Sequence, residues 1–190
     1  MEIKTQIMDP AQMARSLARI THEIIEKNGG LDDVCLIGIK SRGIPMAWRL
    51  AENAYHFEGV EIPVGYVDIS LYRDDLSEII EVPEASGSQF PTEVTGKTII
   101  LVDDVIFTGR TARAAIEAVF AQGRPKKLQL AVLIDRGHRE LPIKPDYVGK
   151  NVPTSHDEFV RVQVSEVDGT DSVLICSINE EPEETVASAE

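Results

Sequence analysis

Apolar positions in this chain recur at two spacings, and the alternation between them outlines the fold. Met13, Leu17, Ile20 and Ile24 fall three or four residues apart, which gathers them on one face of a helix. Asp9-Pro10 supplies an N-cap and a first-turn proline, and Gly29-Gly30 stops the run, so a helix is predicted from there to about Lys27. Val34 to Ile39 is a short unbroken apolar run of the kind buried in a parallel sheet. A helix from about Ile44 to His56 and a strand from Ile62 to Ile69 follow. The pattern then breaks. Residues 71–93 are polar and carry Pro83, Ser86-Gly87-Ser88 and Pro91, which predicts a flexible arm with a hairpin at Ser77 to Val82. Thr98 to Val102 is the most apolar strand and ends in Asp103-Asp104. A helix is predicted from Arg110 to Gln122, closed by Gly123 and Pro125, and Leu128 to Ile134 is a further buried strand. Phe159 to Val167 alternates with period two, and Asp168-Gly169 turns the chain into a last strand from Ser172 to Ile178.

Alternation of strands and helices around nearly all-apolar strands predicts an α/β fold with a central parallel sheet. One domain is expected over residues 1–178. An acidic tail, 179–190, holds Glu180, Glu181, Glu183, Glu184 and Glu190 with no basic residue, and is predicted to be disordered.

Composition narrows the function classes. Nineteen Lys and Arg against 32 Asp and Glu give a formal charge of −13, which argues against a general nucleic-acid coat. A local basic face stays open, because net charge hides asymmetry. No apolar run is long enough to span a membrane and Met1-Glu2-Ile3-Lys4 opens no signal peptide, so a cytoplasmic location is expected. Cys35 and Cys176 sit singly in strand-like runs, as buried reduced thiols. His22, His56, His138 and His156 show no metal-ligand spacing.

Chemistry in a parallel sheet collects beyond the carboxyl ends of its strands. Behind Val102 stands Asp103-Asp104-Val105-Ile106-Phe107-Thr108-Gly109-Arg110-Thr111. Amides at a helix start suit a phosphate, with hydroxyls from Thr108 and Thr111 and close approach at Gly109. The two carboxylates suit vicinal sugar hydroxyls, or magnesium through water. Such a turn binds a ribose 5-phosphate by both ends, although an isolated Asp-Asp serves equally as a strand terminator. Lys40-Ser41-Arg42-Gly43 brings two cations to another helix start, a cradle for pyrophosphate or simply a solvated turn. Arg73, at the root of the polar arm, could close over that pyrophosphate, or belong to an ordinary hairpin tip.

The string from Ile99 to Thr111 resembles the phosphoribosyl-pyrophosphate (PRPP) signature of the type I phosphoribosyltransferases. Further strings resemble the branch of that family that combines uracil phosphoribosyltransferase activity with attenuation of pyrimidine operons. These are Gly38 to Gly43, Asp68 to Leu76, Leu130 to Ile143 and Asp146 to Ser155. Ser41 stands where that branch more often has threonine. The resemblance implies the type I fold with a flexible β-arm and a small hood, Mg²⁺ as cofactor, and conversion of uracil and PRPP to UMP and pyrophosphate. It implies PRPP contacts from Lys40, Ser41, Arg42, Gly43, Thr108, Gly109, Arg110 and Thr111, catalytic roles for Arg73, Asp103 and Asp104, and base or nucleotide contacts from Phe107, Asp135, Arg136 and Val160. Purine relatives usually carry an acid where this chain has Phe107, so a pyrimidine is favoured. A homodimer or a multiple of dimers is expected.

The same branch binds pyrimidine-operon leader RNA when charged with UMP. Arg15, Arg19 and His22 are predicted opposite the apolar face of the first helix. His138, Arg139, Lys144 and Lys150 belong to a second basic cluster. Solvated surface is the plainer account of both. A salvage phosphoribosyltransferase without RNA binding, or a nucleotide-sensing regulator with vestigial catalysis, are the alternatives.

Overall fold

The computed structural model describes residues 2–69 and 87–177. Among these the chain runs β1 (Glu2–Met8), α1 (Pro10–Asn28), β2 (Val34–Ile39), α2 (Gly43–Glu58), β3 (Val64–Val67), β4 (Thr98–Ile106), α3 (Arg110–Gln122), β5 (Lys127–Asp135), β6 (Tyr147–Asn151), β7 (Glu158–Gln163), α4 (Ser165–Asp168) and β8 (Ser172–Ser177). Five strands form the central sheet in the order β3-β2-β4-β5-β6, every neighbour parallel. A second sheet, the hood, is antiparallel with the order β1-β8-β7.

Alternation along β4 sends helices to both faces of the central sheet. Ile100 and Val102 join Met13, Leu17, Ile20 and Ile24 of α1 and Leu50 of α2 in one core. Ile99 and Leu101 point the other way, into a core with Ala112, Ala115 and Val119 of α3. The hood adds Met8, Val162, Val164 and Val173 to the first core. Arg49 on α2 fastens it further, bonding Glu166 on α4 (2.6 and 2.8 Å) and Asp171 (2.8 and 2.9 Å).

The α1 start matches its sequence signal. Asp9 Oδ1 accepts from the Gln12 amide (2.7 Å) and Gln12 Oε1 accepts from the Asp9 amide (2.9 Å), a reciprocal capping box. Gly29, at φ +65°, closes the helix. Other boundaries differ from expectation. β4 does not stop at Val102; pairing with β5 carries it to Ile106, so both aspartates lie inside the strand. β3 is shorter than Ile62 to Ile69, because Ile62 and Ile69 are buried by packing outside the ladder. β7 ends at Gln163 rather than Val167: Asp168 Oδ2 accepts the Val164 amide and Asp171 Oδ1 the Ser165 amide, winding the chain into α4. β1 and β6 are elements the periodicity does not announce. The segment 71–93 is described only from Gly87, where Gln89 bridges antiparallel to Tyr66. The hairpin expected at Ser77 to Val82 and the tail at 179–190 lie outside the described residues.

Candidate active site

Two acidic residues stand near the carboxyl end of β4. Asp103 shares the strand face of Ile99 and Leu101, and Asp104 that of Ile100 and Val102. Each oxygen that bonds locally caps the next amide: Asp103 Oδ1 accepts from Asp104 and Asp104 Oδ1 from Val105, both at 2.9 Å. Burial, then the charge of Asp104, pushes the Asp103 carboxyl well above the ordinary carboxylate range. Burial also raises Asp104, against the lowering effects of hydrogen bonds and of Arg42. This pair of hard oxygen donors is short of positive charge, and so fits Mg²⁺ or sugar hydroxyls. Among the described residues no group of three acids, histidines or cysteines could hold a metal by itself.

The turn after β4 opens α3. Gly109 adopts φ +94°, a left-handed conformation that L side chains rarely enter, and stands at the N-cap. First-turn amides of a helix have no carbonyl partner within it, so those after Gly109 face the turn with the dipole behind them. Asp103, Phe107, Thr108, Gly109 and Thr111 line a pocket of about 120 Å³ here. Thr108 organises the turn: its carbonyl accepts from Glu140 and Leu141, and its hydroxyl from the Arg110 amide. The Arg110 side chain points away, to Glu140 at 2.8 Å.

The second loop, between β2 and α2, is pressed against β4. A Cβ on Gly43 would lie 2.2 Å from the Val102 carbonyl oxygen, and one on Gly38 would lie 2.6 Å from that of Gly43. Glycine at both positions lets the loop carrying Lys40, Ser41 and Arg42 stand beside the acidic pair. Both cations have carboxylate partners. Lys40 Nζ is 2.7 Å from Asp68 Oδ2 just after β3. Arg42 grips Asp168 of α4 with Nε at 3.0 Å and Nη2 at 2.7 Å. The pairs shift the partners oppositely: the Lys40 and Arg42 values rise and that of Asp168 falls.

At the end of β5, the Arg136 guanidinium lies 4.0 Å from the ring centre of Phe107. Arg136 is buried and its value falls for that reason. It donates to Thr154 Oγ1 (3.1 Å) and the Glu158 carbonyl (2.6 Å). His138 meets the Phe107 ring edge-on at 5.8 Å and contacts the Thr154 carbonyl. Asp135 shapes the turn, accepting from the Gly137 amide and from Arg139 at 2.6 Å. Val160 lies on β7, two positions beyond Glu158. Phe107, with 37% of its surface exposed, is therefore a flat apolar platform with a cation behind it.

The structure regroups the basic residues. Arg15, Arg19 and Lys150 line one groove with Gln12, Ser16 and Gly149. Arg19 reaches the carbonyls of Val148 (3.1 Å) and Gly149 (2.6 Å), and Lys150 donates to the Ile7 carbonyl. His22 stacks on Phe57 of α2, with ring centres 4.1 Å apart. Arg139 is spent on Asp135 and the carbonyls of Phe107, Gly137 and Ile143, beside the end of β5 rather than in the groove. Lys144 is exposed on the loop before β6. Arg73 lies outside the described residues. Sequence reasoning missed Asp68, Asp168 and Thr154. Asp68 stands beyond the carboxyl end of β3, a position that itself marks ligand sites; the other two lie far along the chain from the residues they hold.

Comparison with known proteins shows the family and the fold. The phosphoribosyl transferase domain family matches residues 4–166. A bifunctional protein PyrR from Clostridium kluyveri is 58% identical over 178 residues, covering 94% of this chain and 100% of the relative. One from Thermus aquaticus is 56% identical over 173 residues, covering 91% and 96%. Among solved structures, a hypoxanthine-guanine phosphoribosyltransferase from Bacillus anthracis superposes with a TM-score of 0.69 at 18% identity, covering 94% of this chain and 100% of its own.

Proposed function

The chain belongs to the phosphoribosyl transferase domain family, in its PyrR branch, and on that footing we propose the division of labour in its site. It is a uracil phosphoribosyltransferase, making UMP and pyrophosphate from uracil and PRPP, and a UMP-responsive RNA-binding attenuator of pyrimidine genes. The observation that carries the catalytic reading is the apposition of two loops. One presents an acidic pair and a helix start; the other presents Lys40, Ser41, Arg42 and Gly43 beside them.

In this reading the first-turn amides of α3, with Thr108, Gly109, Arg110 and Thr111, hold the 5-phosphate. Asp103 and Asp104 accept hydrogen bonds from the ribose hydroxyls and so fix C1′. Uracil lies against Phe107, flanked by Asp135, Arg136 and the backbone near Val160. Its N1 forms a bond to C1′ as the bond from C1′ to the pyrophosphate oxygen breaks, and the N1 proton passes to solvent. Phe107 has no proton to exchange with the base, which suits uracil better than a purine. Lys40, the Ser41 hydroxyl and Arg42 receive the departing pyrophosphate, joined by Arg73. Arg42 spends Nε and Nη2 on Asp168, leaving Nη1 for the ligand. Positioning and charge neutralisation lower the barrier without a covalent enzyme intermediate. Magnesium arriving with PRPP would be held by Asp103 and Asp104, directly or through water, and would add to that neutralisation. Leader RNA is assigned to the groove of Arg15, Arg19 and Lys150, extended by His22; His138, Arg139 and Lys144 stand apart from it.

Pyrophosphate release with uracil, compared with hypoxanthine and guanine, tests the substrate. Turnover with uracil and none with the purines is expected; the reverse pattern would overturn the reading.

A further inference from the structure

Arg42 is where the pyrophosphate loop meets the hood. It stands at the N-cap of α2 and its side chain makes no capping bond. Asp168, 126 positions further on at the end of α4, holds it instead. Asp168 Oδ2 accepts from Nε at 3.0 Å and Oδ1 from Nη2 at 2.7 Å, a two-point grip along one edge of the guanidinium. A guanidinium has five N–H donors, so three remain, two on Nη1 and one on Nη2. The charge of Arg42 lowers the Asp104 value, which places this group within electrostatic reach of the acidic pair.

The contact is not what attaches the hood. Arg49, two helical turns along α2, already bonds Glu166 and Asp171 on either side of Asp168. Asp168 is itself fixed from behind, since Oδ2 also accepts the Val164 amide at 2.9 Å. Its side chain is 12% exposed, against 31% for that of Arg42. A rigid, largely buried carboxylate therefore grips a half-buried cation at the edge of the site. An unanchored arginine gives up rotamer freedom when it meets a ligand, whereas a gripped one has given it up on folding. Charge acts in the opposite sense: an anion beside Arg42 weakens the field that a pyrophosphate meets. Position and charge thus predict effects of opposite sign.

We propose that Asp168 is a positioning residue for the transfer, holding Arg42 so that its remaining N–H edge meets the departing pyrophosphate. This rests on the assignment of the Lys40 to Gly43 loop to pyrophosphate and deepens it. Negative charge gathers on the leaving group as its bond to C1′ breaks, so a donor already aimed there lowers the barrier more than it tightens the ground state. UMP carries no pyrophosphate, and its affinity does not depend on the contact.

Asp168→Asn keeps the side-chain size and one carbonyl oxygen for the Val164 amide, but its NH2 cannot accept from Arg42. The Kd of magnesium pyrophosphate, by titration calorimetry, and the KM for PRPP are each expected to rise about three- to tenfold. Turnover with uracil should fall about tenfold or more, while UMP affinity stays within about twofold. Arg49→Ala, which loosens the hood without touching Arg42, is the comparison and should leave pyrophosphate affinity near that of the parent. Unchanged pyrophosphate affinity in Asp168→Asn overturns the proposal, and tighter affinity overturns it by showing that charge outweighs position. An equal loss in Arg49→Ala, or a loss of UMP affinity as large as that of pyrophosphate, would mean that Asp168 acts only through the hood and also overturns it. A parent protein that binds pyrophosphate yet releases none from PRPP with uracil would remove the uracil reading, and the pyrophosphate titrations would still decide the role of Asp168. A parent that binds no pyrophosphate overturns both the loop assignment and the proposal.

Discussion

Asp103, which the proposed function gives to the ribose, stands in a setting that opposes its ionised form. Its carboxyl is raised by burial and by Asp104, so the folded chain holds this proton at a pH where the unfolded chain has released it. Stability from this group is present below the ordinary aspartate value of about 3.9 and is lost as pH rises toward the raised folded value. Asp103→Asn should therefore raise the melting temperature of the ligand-free protein at neutral pH by a few degrees and flatten its pH dependence. If Asp103 holds the ribose as proposed, the same substitution should cut uracil turnover by roughly a hundredfold, since a neutral amide would replace an anionic acceptor, a change on the order of 2–3 kcal/mol. Thermal unfolding across pH, alongside steady-state kinetics, checks both outcomes. At this scale much of the site was visible in the sequence: Asp103, Asp104 and the Thr108 to Thr111 turn are contiguous, and contiguous residues reveal their chemistry by type and order. Asp168 was visible only as half of a turn, because its partner Arg42 lies 126 positions away.

At the scale of elements, legibility follows the source of each element's stability. α3 was predicted at Arg110 to Gln122, the bounds observed, because glycines stand at both ends and the signals are local. β1 was missed because Glu2 to Gln6 are exposed and, apart from Ile3, polar; the strand owes its existence to pairing with β8, about 165–175 residues away. β6 was missed because Lys150 and Asn151 are exposed on a sheet edge. Two substitutions test how elements are joined. Gly43→Ala would drive a methyl into the Val102 carbonyl, so the loop of Lys40 and Arg42 must retreat from β4. A loss of ~1–3 kcal/mol and a raised KM for PRPP, with KM for uracil less affected, are expected from denaturant melts and kinetics. Arg49→Ala removes the bonds that fasten the hood and leaves the half-buried Asp171 carboxylate with the Ser165 amide but no cation. A cost of about 1–3 kcal/mol follows. Hydrogen exchange should accelerate in β7 and β8 while the amides of β2, β4 and β5 stay protected.

The whole molecule adds a relation that neither residues nor elements show. From sequence, the nucleotide site and the basic face of the first helix belong to separate regions. In the fold, the segment from Gly149 to Thr154 touches both: Gly149 and Lys150 line the basic groove, the Val152 amide donates to the Asp135 carbonyl (2.8 Å), and Thr154 binds Arg136 and His138. A nucleotide that shifts Arg136 against Phe107 therefore acts on a strand end that also carries Lys150. Such coupling is a free energy shared by two ligands, so the factor by which UMP tightens RNA must equal the factor by which RNA tightens UMP. Arg15→Glu should weaken leader RNA about tenfold or more and reduce its salt dependence by about one phosphate contact. It should leave uracil turnover within a few-fold, and UMP should still tighten whatever RNA binding remains by the parent's factor. Arg15 is a cleaner site for this reversal than Arg19, whose replacement would also strip the carbonyls of Val148 and Gly149. Thr154→Ala, which removes the hydroxyl held by Arg136, should do the converse: RNA affinity without UMP stays near the parent value while the UMP-dependent factor shrinks toward one. Filter binding with and without UMP, paired with UMP titrations with and without RNA, measures both sides of the cycle. A Thr154→Ala protein with undiminished coupling would show that the link does not run through this segment.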